Sequence, residues 1–236
     1  MMSGAQLNYS SALSLFYNPA LQSESVRGDL GVGNTLYYPN SGIYDLELAL
    51  SLKRKHSTLG FGLSQEGFDQ FKTTTGLLQY ALELDSTWGI GITSGISTSS
   101  FYVNSVNLPN FSLGVVKQLT GQLKMTLCLF AKQTYLVQEN VKKEFHYKSK
   151  TGFSYESLNK QFTAHLSGQY ERRLVVALCL YYRISKQFHF FVSGRSSPVD
   201  YTFGARIKVK SLAVLVGFQY HASLGFSPSS IAEYAF

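Results

Sequence analysis

Charge is what this chain has least of. Lys and Arg number 21 and Asp and Glu 14, so 15% of the 236 residues are charged, against about 25% in an ordinary soluble domain. Long apolar runs are missing too. The longest, residues 174–182, falls far short of the roughly 18 residues that a membrane-crossing helix needs, which excludes a bundle of such helices. Proline occurs five times and no repeat is present, so collagen-like and proline-rich classes are excluded. Cysteine occurs twice, at Cys128 and Cys179, each alone in an apolar stretch without a CxxC spacing or a histidine cluster. Such residues are small hydrophobes rather than a metal centre or a redox pair. Catalytic spacings are also wanting. His56, His146, His165, His189 and His221 are dispersed, and neither a GxSxG elbow nor a P-loop occurs. Gly31-Val32-Gly33 and Gly60-Phe61-Gly62 have no helix following them, as a dinucleotide site would require. The residues point to no enzyme and to no cofactor.

Aromatic residues, by contrast, make up 14%, with 16 Tyr and 17 Phe, and there are 20 Gly. That content is too high for a solvated coil and leaves one β-rich domain, either a soluble sandwich or barrel or a membrane barrel. Period-two alternation runs through most of the chain. Leu46, Leu48, Leu50 and Leu52 oppose Glu47, Ala49, Ser51 and Lys53. Leu59, Phe61 and Leu63 oppose glycine and serine, and Tyr201, Phe203, Ala205 and Ile207 oppose Thr202, Gly204 and Arg206. Short polar turns interrupt the pattern at 54–57, 85–86, 120–122, 185–187 and 208–211, and longer connections are expected near 65–73, 100–110 and 138–160. Short turns at one end and long loops at the other are the habit of a transmembrane barrel.

The second face of each strand decides between the two classes. A soluble sheet would carry many charges there, whereas this face is mostly Gly, Ser, Thr and Ala with scattered Glu47, Lys53, Glu83, Lys124, Arg206 and Lys208. Such a face fits a narrow semi-polar lumen, with the apolar face toward lipid and Tyr at strand ends, among them Tyr37, Tyr38, Tyr80, Tyr102, Tyr135, Tyr170, Tyr182, Tyr201 and Tyr220, as interfacial girdles. The expected fold is therefore all-β, an antiparallel transmembrane β-barrel in the bacterial outer membrane, its partner the lipid bilayer. Bacterial barrels favour even strand numbers, which makes about fourteen strands the expectation and twelve the alternative. Residues 1–236 form a single barrel domain in this reading, with 1–28 a periplasmic or plugging segment and a lumen too filled for free diffusion. Met1 to Gln6 lacks a complete export signal, and Ser3-Gly4-Ala5 fits the tail of one. The chain ends on Tyr234-Ala235-Phe236, and an aromatic terminus on an amphipathic strand resembles the signal read in outer-membrane barrel assembly. The formal net charge of +7 is scattered, so nucleic acid is not an expected partner.

Two regions together resemble the PorP/SprF family of outer-membrane proteins of type IX secretion and gliding motility. The first begins at Phe16-Tyr17-Asn18-Pro19-Ala20 and runs through a strand near 29–38, the loop Pro39-Asn40-Ser41-Gly42-Ile43-Tyr44, the turn Lys53-Arg54-Lys55-His56 and the strand Leu59-Gly60-Phe61-Gly62-Leu63-Ser64 to Tyr80-Ala81-Leu82-Glu83-Leu84. The second is the ending, Gly217-Phe218-Gln219-Tyr220-His221 to Tyr234-Ala235-Phe236. The chain is short for that family and has His221 where an acidic residue is usual, and the Asn-Pro-Ala feature is shared with FadL-like transporters. The resemblance implies a non-enzymatic component of a protein secretion machine, with other secretion-system proteins as partners: an outer-membrane translocon, periplasmic lipoproteins or the signal domains of secreted substrates. A FadL-like or porin-type channel for small substrates is the alternative, and a soluble ligand-binding barrel the third reading. Partner contacts are expected at Asn18 and Pro19, a turn-forming pair, and at Lys142 and Lys143 in the most charged stretch, read as the longest loop.

Overall fold

The structure is a computed structural model, and it describes residues 11–24, 28–38, 41–68, 70–101, 104–136, 142–222 and 225–236. Fourteen strands follow one another: β1 (Asp29–Tyr37), β2 (Ile43–Arg54), β3 (Ser57–Phe68), β4 (Phe71–Glu83), β5 (Trp88–Phe101), β6 (Asn104–Gln118) and β7 (Leu123–Leu136), then β8 (Lys142–Glu156), β9 (Phe162–Tyr170), β10 (Leu174–Arg183), β11 (Phe188–Ser196), β12 (Val199–Val209), β13 (Leu212–His221) and β14 (Gly225–Ala235). Each pairs antiparallel with its neighbours in sequence, and β1 pairs with β14 from Asp29↔Ala235 to Thr35↔Ser229, so the sheet closes into a barrel. Closure leaves no strand edge, which is the only way a sheet satisfies its backbone groups within lipid.

Alternation fixes the two faces. On β2 the inward positions Asp45, Glu47, Ala49 and Ser51 are buried, while Leu46, Leu48 and Leu52 stand exposed on the outside. The outer surface continues as a belt that includes Leu63, Leu78, Ile92, Leu113, Leu129, Leu166, Leu178, Val192 and Val216. Tyr80, Trp88, Tyr155, Tyr182 and Tyr234 ring the end that carries the short turns, and Tyr170, Tyr201 and Tyr220 ring the opposite end. The scarcity of charge follows from this layout: one face of every strand meets lipid, and the enclosed face has no bulk water to hydrate ions. The protein is an antiparallel barrel of the bacterial outer membrane. Of the expected girdle tyrosines, Tyr37 lies on the inward parity of β1 with Gly31, Gly33 and Thr35, while Tyr102 and the side chain of Tyr135 lie outside the described residues.

Three connections read as long loops are mostly strand. Within 65–73, β3 and β4 pair as far as Phe68↔Phe71, and the described residues of 100–110 belong to β5 and β6. The charged stretch 138–160 contains β8, paired with β7 from Leu123↔Tyr155 to Leu136↔Lys142. The twelve-strand alternative fails because both the 29–38 strand and β8 stand in the wall. The cause is strand length. β5 to β8 have 14 or 15 residues, where about 9–11 cross a bilayer. Their far ends therefore rise past the hydrocarbon, where outward residues such as Ser105 and Asn107 are polar and the alternation that marks a lipid-facing strand disappears.

Candidate functional site

The lumen is filled by the chain's own N-terminal segment. Two short 3-10 turns, Ala12–Phe16 and Pro19–Glu24, lie inside the barrel, joined through Tyr17 and Asn18. The local sequence explains the break. Pro19 has no N–H to offer and suits the start of a turn, and the Asn18 side-chain oxygen accepts the Ala20 N–H at 3.0 Å. Leu13 and Leu15 pack with Ala49, Cys179, Phe191 and Ile231 of the wall, and Leu21 packs with Val116.

Glycines on one side of the wall let the segment come close. A Cβ at Gly91 would stand 2.5 Å from the Pro19 carbonyl carbon, and one at Gly62 would stand 2.5 Å from Leu15 Cδ1. At Gly114 it would overlap the Asn18 side-chain oxygen, and at Gly89 the Ser23 hydroxyl. Real Cβ atoms do not approach so near, so the glycine-rich face of β3, β5 and β6 is a seat shaped to this backbone.

Polar ties hold the segment in that seat, several of them to its backbone carbonyls. Gln79 Nε2 donates to the Pro19 carbonyl at 2.5 Å, Thr58 Oγ1 to the Gln22 carbonyl at 3.0 Å and Lys53 Nζ to the Ser23 carbonyl at 2.5 Å. Lys124 pairs with Glu24 at 2.8 Å, and Lys53 also meets Glu83 at 3.5 Å. The most central tie belongs to Tyr17, which is 5% exposed. Its hydroxyl donates to Glu47 Oε1 of β2 at 2.5 Å, and its ring lies 5.4 Å from Lys150 Nζ of β8. One phenol thus spans the bore from wall to wall. Burial, and next the neighbouring Glu47, hold that phenol well above its ordinary pKa, so it remains a donor.

Beside the segment, toward β7–β14, lies a cavity of about 290 Å³. Leu13 and Ser14 of the segment form one side, and Lys124, Ser154, His165, Tyr181, Arg183, His189, Arg206, Leu215, Ile231 and Glu233 belong to the wall around it. His165 Nδ1 and Ser154 Oγ are 2.7 Å apart, and Arg206 meets Glu233 at 3.3 Å.

The expected site residues are thus distributed through the fold rather than gathered. Asn18 and Pro19 are buried in the lumen against Gly91, Gly114 and Gln79. Lys142 and Lys143 open β8, in a strand rather than a loop, and their side chains lie outside the described residues. Tyr234 and Phe236 face outward at the end of β14, where the Phe236 N–H bonds the Gly28 carbonyl at 2.9 Å. The dispersed histidines are partly reunited, since His165 and His189 share the cavity while His221 sits beside Tyr38 at the other end. Arg183 carries no site reading in the sequence, and Tyr17 enters it only within the Phe16–Ala20 motif. The available signal was a large polar residue at an inward strand position otherwise occupied by Gly, Ser or Thr.

No protein-family model matches the sequence, and no curated protein matches it. Solved structures do. The chain is similar to the Pseudomonas aeruginosa FadL homologue, with a TM-score of 0.74 and 10% identity over 99% of this chain and 96% of that one. It is similar also to the CymD monoaromatic hydrocarbon channel, with a TM-score of 0.70 and 11% identity over 98% and 94% of the two chains. The Pseudomonas putida toluene transporter TodX follows with a TM-score of 0.69 and 8% identity over 98% and 94%. At such identity the likeness is one of fold. It nevertheless corrects the family resemblance read from the sequence: these neighbours are channels and transporters, and no PorP/SprF or type IX protein is among them. The motifs behind that resemblance (a turn-forming Asn-Pro, tyrosine-rich strand ends, a Gly-x-Gly strand) are what any glycine-lined, girdled barrel with a lumenal segment requires. The secretion-machine reading, and gliding motility with it, falls with that resemblance.

Proposed function

We propose that the protein is a non-enzymatic channel that admits small, mainly apolar molecules through the outer membrane and is closed by its own N-terminal segment. The observation that carries this reading is the seat. A wall that places glycines at the close-approach positions Gly62, Gly91 and Gly114, and donors at the segment's carbonyls, is built to hold a stopper and to release it. A stopper has use only where something passes. The adjoining cavity gives a small guest a place beside the closed segment, and similarity to hydrocarbon channels supports guests of low polarity. The Ser154–His165 pair does not argue for hydrolysis, because among the described residues no carboxylate bonds the imidazole to orient it, as nucleophile activation needs.

Uptake of labelled toluene by bacterial cells tests the proposal, since lipopolysaccharide makes the outer membrane the barrier to such a molecule. Cells lacking their own hydrocarbon channels and expressing this chain should take toluene up several-fold faster than cells carrying an empty vector. Equal rates, with the barrel present and folded in the outer membrane, would refute it.

A further inference from the structure

A single lateral row of inward-facing residues crosses the wall at the level of the cavity. Arg183 of β10 is the partner of His189 on β11, His189 of Arg206 on β12, Arg206 of Leu215 on β13, and Leu215 of Ile231 on β14. All five line the cavity. With strands about 4.8 Å apart the row runs ~19 Å, cationic or donor-bearing over its first three members and apolar over its last two. Leu13 of the lumenal segment joins the apolar half.

The polar half carries groups left to spare. Nε2 of His189 is enclosed and has no hydrogen-bond partner. Among the described residues no carboxylate lies within ion-pair distance of Arg183, whereas Arg206 holds Glu233 and Lys124 holds Glu24. With Lys124 matched by Glu24 and Arg206 by Glu233, Arg183 is the cation around the cavity left to meet a guest, and Glu156 is the remaining carboxylate. Size limits the guest. An apolar cavity of about 150 Å³ takes benzene, so about 290 Å³ holds one ring with a polar head, not an extended chain.

We infer that this cavity binds a small amphipathic anion, a single-ring or similarly compact apolar body bearing one carboxylate. The head meets Arg183 and His189, and the body lies on Leu215, Ile231 and Leu13. The inference rests on the channel reading in that it makes the cavity a station on the guest's path, and it extends the guests from neutral molecules to their acids.

The test uses the full chain in lipid nanodiscs, with benzoate as the probe, benzyl alcohol as its neutral counterpart and acetate as the head without the body. Saturation-transfer NMR and calorimetry should show benzoate bound, acetate unable to displace it, and Arg183→Gln weakening it by about tenfold or more, as loss of a charged hydrogen bond does. His189→Gln gives an independent reading should Arg183→Gln fail to fold. Benzoate that does not bind, that binds equally to both folded variants, or that acetate displaces at equal concentration would overturn the inference. Toluene uptake separates the two ideas. Uptake without benzoate binding defeats the anion site alone, and benzoate binding that is lost in Arg183→Gln, without any uptake, defeats the channel alone.

Discussion

Tyr17→Phe is the smallest change that tests whether the lumenal segment is a closure. It removes one oxygen, the hydroxyl that donates to Glu47 Oε1 at 2.5 Å, and leaves the ring that faces Lys150. Both partners are nearly enclosed, Tyr17 at 5% and Glu47 at 8% exposure, so water does not readily replace the lost donor. A hydrogen bond contributes about 0.5–1.5 kcal/mol between neutral groups and about 1.5–3 kcal/mol to a charged one, so its loss shifts the balance between seated and released segment by a few-fold to roughly 150-fold as Glu47 goes from neutral to ionised. Glu47→Gln keeps an acceptor but no charge, so the bond falls to about 0.5–1.5 kcal/mol and the shift to a few-fold. Tyr17→Ala also forfeits the ring between Lys150 and the opposite wall and exceeds both. Planar-bilayer recording of single barrels measures the open fraction directly. The parent should be closed nearly all the time, and the order of opening should be Tyr17→Ala, then Tyr17→Phe, then Glu47→Gln, then parent. If Tyr17→Phe and Tyr17→Ala both stay within twofold of the parent, the phenol does not restrain the segment and the cross-bar argument is wrong. A parent that conducts steadily refutes the closed lumen itself.

Gly91→Leu should unseat the segment without opening the wall, because its first added carbon already collides with the Pro19 carbonyl; protease sensitivity of residues 11–24 and toluene uptake should rise together while the barrel keeps its heat-dependent gel shift. Leu48→Lys, on the outward face in the middle of β2, should cost about 2–4 kcal/mol in refolding from urea, whereas Asn107→Lys, outward but beyond the belt, should cost about 0–1 kcal/mol. At the β4–β5 turn, the Thr87 N–H and hydroxyl and then the Trp88 N–H hold the Asp85 carboxyl below its ordinary range. Its contribution is complete above the ordinary carboxylate pKa and is lost as pH falls through the lowered one. Asp85→Asn should therefore flatten the acid limb of the unfolding profile measured by tryptophan fluorescence at Trp88, and an unchanged limb would rule the turn out as its source.

The sequence made the wall legible wherever a strand has lipid on one side and the lumen on the other. Leu46 to Lys53 alternates because the two faces of β2 meet opposite solvents, and that alternation alone identifies Leu46, Leu48 and Leu52 as outward. β8 was obscured by its charge. From Lys142 to Lys150 its inward face carries His146, Lys148 and Lys150 toward an enclosed polar lumen, and these charges give the stretch the look of a loop although Phe145 and Tyr147 alternate with them on the outer face. The site was hidden more deeply. Glu47 and Lys150 lie far apart in sequence, and only closure of the barrel sets them across from each other with Tyr17 between them. Arg183, His189 and Arg206 become a row through strand register, which periodicity does not reveal. The Asn18-Pro19 pair announced a turn but not its surroundings, because the seat is made of glycines from three other strands.

The two sides of the lumen explain why the open space lies where it does. Against β3, β5 and β6 the segment touches wall backbone through Gly62, Gly91 and Gly114, and nothing as large as a ring fits between. Against β10 to β14 the inward residues include Tyr181, Phe191, Leu215 and Ile231, which hold the segment away by the depth of a side chain. Swapping that asymmetry should swap the path. Leu215→Gly with Ile231→Gly would let the segment settle toward β13 and β14 and fill the cavity, so benzoate binding and toluene uptake should both fall although the passage has lost two bulky residues. A channel limited simply by the width of its bore would respond the other way, with faster uptake, and that result would show that the segment does not follow the wall's contour.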